Sequence, residues 1–449
     1  MGCRCRAMSR PAGTGHSLLV LMRRGLRPKS ADHIQALADL GTDLHVVTSA
    51  QEGTGQDPRF SSALAVPPRA GHDELVERVC AVARDRRATA VVTFSEYDIV
   101  IASEANQRLG IGWACPEADR ISRDKSRQRE FLRSHAIPSV WYYPVSDTGA
   151  AVAAGMEHGF PLIVKPTRSA SSTRVELVRD PAALKSSLLS IRAIEDISAG
   201  GSGTAGVLRA GSGPWALLEE YVPGREVTLD GAVLDGRFVL GGIHNKALRQ
   251  GPFFEEDLYT LPFSDPGREA EIAAIAESIV KCLRPGLTLF NAELREDAGG
   301  QFRVIEFSTR LSGGHVYRNI RDVYGIDLVR MFARSVLGEP PEQIMAQDGI
   351  RRAPRTATCI KRLYANGRVV RNSVGNAIYS PSFRSYYPLA KPGEVVASAP
   401  HGFDCVGSLS VWLPWRPGQP PAAAHEVARE VAAELDVEVE VCDGAEERP

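Results

Sequence analysis

The sequence lacks any run of about 18 apolar residues, so no segment reads as a membrane-spanning helix. It lacks an excess of either charge: 53 Lys+Arg stand against 54 Asp+Glu, a formal charge of -1. That argues against a nucleic-acid binder working through bulk positive charge, and neither nucleic acid nor a membrane is expected as a partner. It also lacks a Cys-x-x-Cys pair. The eight cysteines, Cys3, Cys5, Cys80, Cys115, Cys282, Cys359, Cys405 and Cys442, are scattered along the chain. A zinc site or disulfide framework is disfavoured, and a reducing, cytoplasmic setting is expected. No internal repeat of fixed period is present. The apolar run at 18–22 is too short for a signal-peptide core, and Arg6 stands where a myristoylation pattern wants Ser or Thr. Residues 1–15 read as a disordered tail, with Met8 as an alternative start.

What is present suits a globular chain. Its 449 residues suggest about three domains at roughly 150 residues each. Hydrophobic residues make up 43% and charged residues 24%, enough for cores without covalent staples. Strand and helix signals alternate up to about residue 118: strands at 17–22, 43–48 and 90–94, helices at 31–40, 74–83 and 99–109. This pattern predicts a parallel sheet covered on both faces. A charged helix at 124–135 follows, then strands at 160–166 and 175–178 and a helix at 181–191. Residues 198–214 hold six glycines and read as a flexible linker. Beyond it come strands at 215–222, 226–234 and 237–243, an amphipathic helix at 268–283 and a helix at 327–337. From 343 onward the pattern is mostly β, with one late helix at 422–435.

The stretch 288–310 carries the most chemistry. With Gly299-Gly300 as a two-residue turn, Glu293 falls opposite Glu306 and Asn291 opposite Ser308, while Leu294 meets Ile305 and Ala292 meets Phe307 on the other face. Two carboxylates side by side repel unless something compensates. A divalent cation bridging them is one answer. Pairing with Arg295, or relaxation into water, is the structural alternative. Arg310 and a small turn at 311–315 follow at once, a setting suited to a phosphoryl group in transfer. Lys165 ends a buried strand, where its ammonium meets a sheet edge as a point charge.

In chain order, six motifs stand out. They are Lys125 in Asp-Lys-Ser-Arg, Lys165 in Phe-Pro-Leu-Ile-Val-Lys-Pro, and the small polar loop of Ser169, Ser171 and Ser172. Then come Glu219-Glu-Tyr-Val-Pro-Gly-Arg-Glu226, Glu293 in Asn-Ala-Glu-Leu, and Glu306 in Val-Ile-Glu-Phe-Ser-Thr-Arg310. Together they resemble the ATP-grasp superfamily of carboxylate–amine ligases. Over about residues 17–345 the chain looks most like the L-amino acid ligase branch, which includes carnosine-synthase-like enzymes. The resemblance implies a mixed α/β and α+β chain with the ATP-grasp fold. It would have a Rossmann-like pre-ATP-grasp domain at 16–118, an A (lid) subdomain at 119–214, a B subdomain at 215–342 and a mostly β C-terminal cap at 343–449.

The resemblance also implies roles. Lys125 would reach the α-phosphate, Lys165 and the serine loop the other phosphates, and Lys246 the γ-phosphate. Glu219, Glu220 and Val222 would lie at the adenine and Glu226 at the ribose. Glu293, Glu306 and Ser308 would hold Mg2+ (or Mn2+). Arg310 would stabilise the transferring phosphoryl and the oxyanion. Gly313, Gly314 and His315 would hold the acyl substrate, with His315 as a base. Two departures stand out: no glycine lies between Thr167 and Arg174, and Ser308 occupies a position where Asn is common, with Asn291 opposite it as a substitute amide. The implied activity is amide formation between a carboxylate, read as an amino acid, and an amine, through an acyl phosphate, using ATP. Other readings are a biotin-carboxylase-like or purine-biosynthetic enzyme of the same architecture and a non-catalytic nucleotide-binding module. A homodimer is common among such folds.

Overall fold

The structure is a computed structural model; it describes residues 16–23, 28–49, 57–67, 70–169, 172–198, 213–249, 251–313, 316–399, 402 and 404–441. The expected tail at 1–15 and nearly all of the expected linker lie outside the described residues, as do Ser171, Gly314 and His315.

The N-terminal sheet is parallel, in the spatial order Ser62–Val66, Asp43–Ser49, Ser17–Met22, Ala90–Val92. Helices Pro28–Ala38, His72–Asp85 and Ile99–Arg108 connect and cover it. The expected three strands and three helices are present. Strand Ser62–Val66 escaped the sequence reading because it is an edge strand in which only Val66 is buried, leaving no apolar face to detect. A second, antiparallel sheet has the order Tyr142–Val145, Ala216–Glu220, Leu162–Pro166, Glu176–Val178.

The third sheet has eight antiparallel strands in the order Phe302–Ser308, Thr288–Glu296, Glu226–Leu234, Arg237–Leu248, Glu256–Leu261, Thr356–Leu363, Gly407–Pro414, Phe383–Pro388. Three strands of the C-terminal segment thus continue the central sheet through pairs such as Tyr259–Ile360. Helix Glu269–Leu283 buries Ile272, Ile275, Ala276, Ile279 and Val280 against one face of this sheet, the stripe its periodicity predicts. Helices Val316–Tyr324 and Leu328–Val336 pack between the central sheet and the N-terminal unit, sharing a core with Leu18, Val20, Ile34 and Leu37. Gly286 marks another junction: its φ is +76°, and a Cβ there would overlap the Trp113 carbonyl.

His244 lies inside the central sheet with 0% exposure, and among the described residues neither ring nitrogen has a hydrogen-bond partner. Burial pushes its pKa down from 6.5 to about 3. The unfolded chain therefore binds more protons between these values, so stability falls as pH drops below 6.5. Between pH 7 and pH 5 the loss from this residue is about 2 kcal/mol. Urea unfolding of His244→Phe at both pH values is expected to show a pH-dependent loss smaller by that amount.

Candidate active site

The hairpin Thr288–Glu296/Phe302–Ser308 pairs Glu293 with Glu306, Asn291 with Ser308 and Ala292 with Phe307, as the spacing predicts. The turn differs. Asp297 through Gln301 form it, with Asp297 N donating to Gln301 O at 2.8 Å and the Asp297 carboxylate accepting from Gly299 N and Gln301 N. Near the turn the register is shifted by one residue, so Leu294 faces Val304 rather than Ile305. A bulge at Ile305 absorbs the extra residue and restores the carboxylate pair. It also turns the Ile305 carbonyl toward Arg129 Nη2 at 2.6 Å and Lys165 Nζ at 3.5 Å.

The two carboxylates face a cavity of about 350 Å³ bounded by the small sheet, the central sheet, the N-terminal loop at 94–97 and the C-terminal strand bearing Arg362. Lys125, Lys165, Ser169, Ser172, Glu219, Glu220, Val222, Glu226, Lys246, Glu293, Glu306, Ser308, Arg310 and Gly313 all line it. Residues far apart in sequence therefore meet as the motif order implied.

Lys125, Lys165, Lys246 and Arg310 are each held by a carboxylate. Asp124 caps helix Lys125–Ser134, accepting from Ser126 N and Arg127 N. That places Lys125 in the first turn, 5% exposed, with Nζ 3.1 Å from Glu306 Oε1 and 3.0 Å from the Ser169 carbonyl. The serine loop thus presents a carbonyl at Ser169 to Lys125. Lys165 lies 2.7 Å from Glu219 Oε2, and Arg129 2.6 Å from Glu219 Oε1. Burial raises the Glu219 pKa less than the Arg129 and Lys165 charges lower it, so it remains ionised. Both Glu219 carboxylate oxygens are engaged by these two cations. The Glu220 amide nitrogen is likewise taken, by the Trp141 carbonyl at 3.1 Å.

On the central sheet, Lys246 Nζ is 2.6 Å from Glu226, 3.2 Å from Glu293 and 3.5 Å from Glu256. Glu226 also takes Arg295 at 3.0 Å, so Arg295 does not relieve the Glu293–Glu306 pair. Burial, with the charges of Glu226, Glu256 and Glu306 outweighing the opposing Lys246, pushes the Glu293 pKa up to about 7. A cation beside Glu293 would favour its ionised form. Among the described residues no three His, Cys, Asp or Glu side chains group as a metal site. A pair of carboxylates fits Mg2+, which keeps waters and takes its remaining oxygens from phosphates.

Gly224 sits two residues before Glu226, and its lack of a side chain is required there. A Cβ at Gly224 would overlap the Glu296 carbonyl, which Gly224 N donates to at 3.0 Å, while Arg295 donates to Gly224 O at 3.0 Å. Gly224→Ala is expected to destabilise by about 1–3 kcal/mol in urea unfolding.

Glu96 was not legible. It follows strand Ala90–Val92 in a loop and takes Arg310 Nε, Arg123 at 2.9 Å and the Ser308 hydroxyl at 3.1 Å. Burial raises its pKa, but Arg310, Arg123 and Lys125 outweigh that and hold it at about 2. Ser308 thus donates to Glu96. The Asn291 amide nitrogen donates to Thr228, Leu229 O and Ser312. Only a generic signal, an acid just after a parallel strand's C-terminal end, marks Glu96 in the sequence.

The ATP-grasp domain family matches residues 158–318. The chain is 27% identical over 267 residues to alanine–anticapsin ligase of Bacillus subtilis (strain 168), covering 58% of this chain and 56% of that protein. It is 27% identical over 329 residues to carnosine synthase 1 of Gallus gallus, covering 68% of this chain and 34% of that one. It thus spans about half or less of the length of these relatives. Among solved structures, L-amino acid ligase from Bacillus licheniformis superposes with a TM-score of 0.78 at 16% identity, covering 95% of this chain and 100% of that one. Residues 158–318 thus match an ATP-grasp domain, and the chain shares the fold of that L-amino acid ligase.

Proposed function

We propose that the chain is an ATP-dependent ligase that joins a carboxylate, read as an amino acid, to an amine, releasing ADP and phosphate. The observation that carries this is the convergence of Glu293, Glu306, Lys125, Lys165, Lys246 and Arg310 on one cavity. Lys125 and Lys165 meet phosphates from the small-sheet side, and Lys246 meets the γ-phosphate from the central sheet. Glu226 receives the ribose hydroxyls, and Val222 borders the adenine. Glu293 and Glu306 hold Mg2+ (or Mn2+), which when bound neutralises phosphate oxygens. The γ-phosphoryl passes to a carboxylate oxygen, giving an acyl phosphate. The amine attacks the carbonyl carbon, the C–N bond forms, and phosphate leaves with the electrons of the C–O bond as the amine gives up a proton. Arg310 stabilises charge on the phosphoryl and on the tetrahedral oxyanion. Gly313 borders the acyl group.

Among the described residues no helix is long and apolar enough to cross a membrane, and the five described cysteines are free. This supports a cytoplasmic setting. The homodimer remains part of the proposal, read by light scattering. The test of function is Mg2+-dependent phosphate release from ATP against the twenty amino acids, singly and in pairs, with Glu306→Ala as control. Release that requires substrates and vanishes in Glu306→Ala is expected. Release from ATP alone, unchanged in Glu306→Ala, would contradict the reading.

A further inference from the structure

Six lysine and arginine side chains line the cavity: Lys125, Lys165, Lys246, Arg295, Arg310 and Arg362. Five of them have a carboxylate oxygen within 3.1 Å. Arg362 is the exception. Its side chain is only 11% exposed, and its nearest carboxylate, Glu256, is 3.9 Å away, beyond hydrogen-bond distance. It makes no hydrogen bond among the described residues. A guanidinium this buried is normally satisfied by a planar oxyanion bound bidentately.

Its position says which oxyanion. Arg362 lies on strand Thr356–Leu363, which pairs with strand Glu256–Leu261, so the C-terminal segment delivers it to the cavity. Glu256 links Arg362 to Lys246 at 3.5 Å, and Lys246 lies 3.2 Å from Glu293. The side chains of Glu256 and Lys246 therefore stand between the guanidinium and Glu293. Glu256 and Arg362 present an anion and a cation 3.9 Å apart, complementary to an ammonium and a carboxylate on one small molecule.

We infer that Arg362 binds the carboxylate of the amine-donating substrate and makes the enzyme select amino acids over plain amines. This rests on the ligase reading, and the two fail differently. Wild-type enzyme is first assayed with ATP, Mg2+, each of the twenty amino acids and hydroxylamine, which traps an acyl phosphate as its hydroxamate. No hydroxamate with any of them would overturn the ligase reading and this inference with it. With the acyl substrate so identified, each of the twenty amino acids is compared with its carboxamide as acceptor.

The wild type is expected to show an acceptor KM about a hundredfold higher for the carboxamide. Arg362→Ala is expected to raise the amino acid KM by a similar factor with a much smaller change in kcat, and Arg362→Lys to recover part of it. Equal KM values for amino acid and carboxamide in the wild type would overturn the inference even if Arg362→Ala failed to fold. So would an unchanged acceptor KM in a folded Arg362→Ala.

Discussion

Arg310→Ala is expected to lower substrate-dependent phosphate release by about a thousandfold in kcat while leaving ATP affinity within a few-fold. The guanidinium is fixed before any substrate arrives. Nε meets Glu96, and Nη1 donates to the Leu311 carbonyl at 2.6 Å. Burial would lower its pKa, but Glu96 first, then Glu306 and Glu293, raise it, so it stays charged. A fixed charge beside the carboxylate pair stabilises what develops during transfer without reorganising, which is why the loss falls on kcat. Arg310→Lys is expected to rescue little, since one ammonium cannot span both partners. Steady-state kinetics with the responsive substrates measures this. A kcat within threefold of wild type in Arg310→Ala would remove Arg310 from the chemistry.

The second large effect concerns stability. Glu219→Ala leaves Arg129 and Lys165 buried without their shared anion, at 1% and 3% side-chain exposure. Breaking a buried ion pair by removing one partner costs about 3–5 kcal/mol. Arg129 keeps its bonds to Ser139, Val304 O and Ile305 O, which hold the guanidinium in place without its anion. Loss falls on the junction between the small and central sheets, and nucleotide binding should fall with it. Denaturant unfolding together with ATP calorimetry reads both. A variant with wild-type unfolding and wild-type ATP affinity would show that Glu219 does not organise the site.

Much of this site was written in local sequence. The carboxylate pair followed from period-two alternation about a glycine turn, because strand register is set by side-chain faces. The prediction of Leu294 against Ile305 failed for a local reason: a five-residue turn and a compensating bulge leave 293/306 opposed and shift only the residues between. Helix Val316–Tyr324 carries apolar residues at 316, 320, 323 and 324, a pattern that was there to be read. Helix Thr148–His158 was not, since its small residues bury only Ala151 and Gly155. Glu96, Glu256 and Arg362 were illegible because their roles depend on contacts with other elements, as between Glu96 and Arg310, 214 positions apart. Ser308 shows the same limit: its position marked a departure, and only the fold shows it bound to Glu96.

In the proposed reaction the γ-phosphoryl of ATP passes to a substrate carboxylate at this site. The most direct test uses the responsive acid labelled with 18O in its carboxylate, turned over with ATP, Mg2+ and the amine, followed by mass spectrometry of the products. One 18O atom is expected in the released inorganic phosphate, because the carboxylate oxygen that accepts the phosphoryl leaves with it. Unlabelled phosphate accompanying amide formation, or label appearing in AMP, would contradict it.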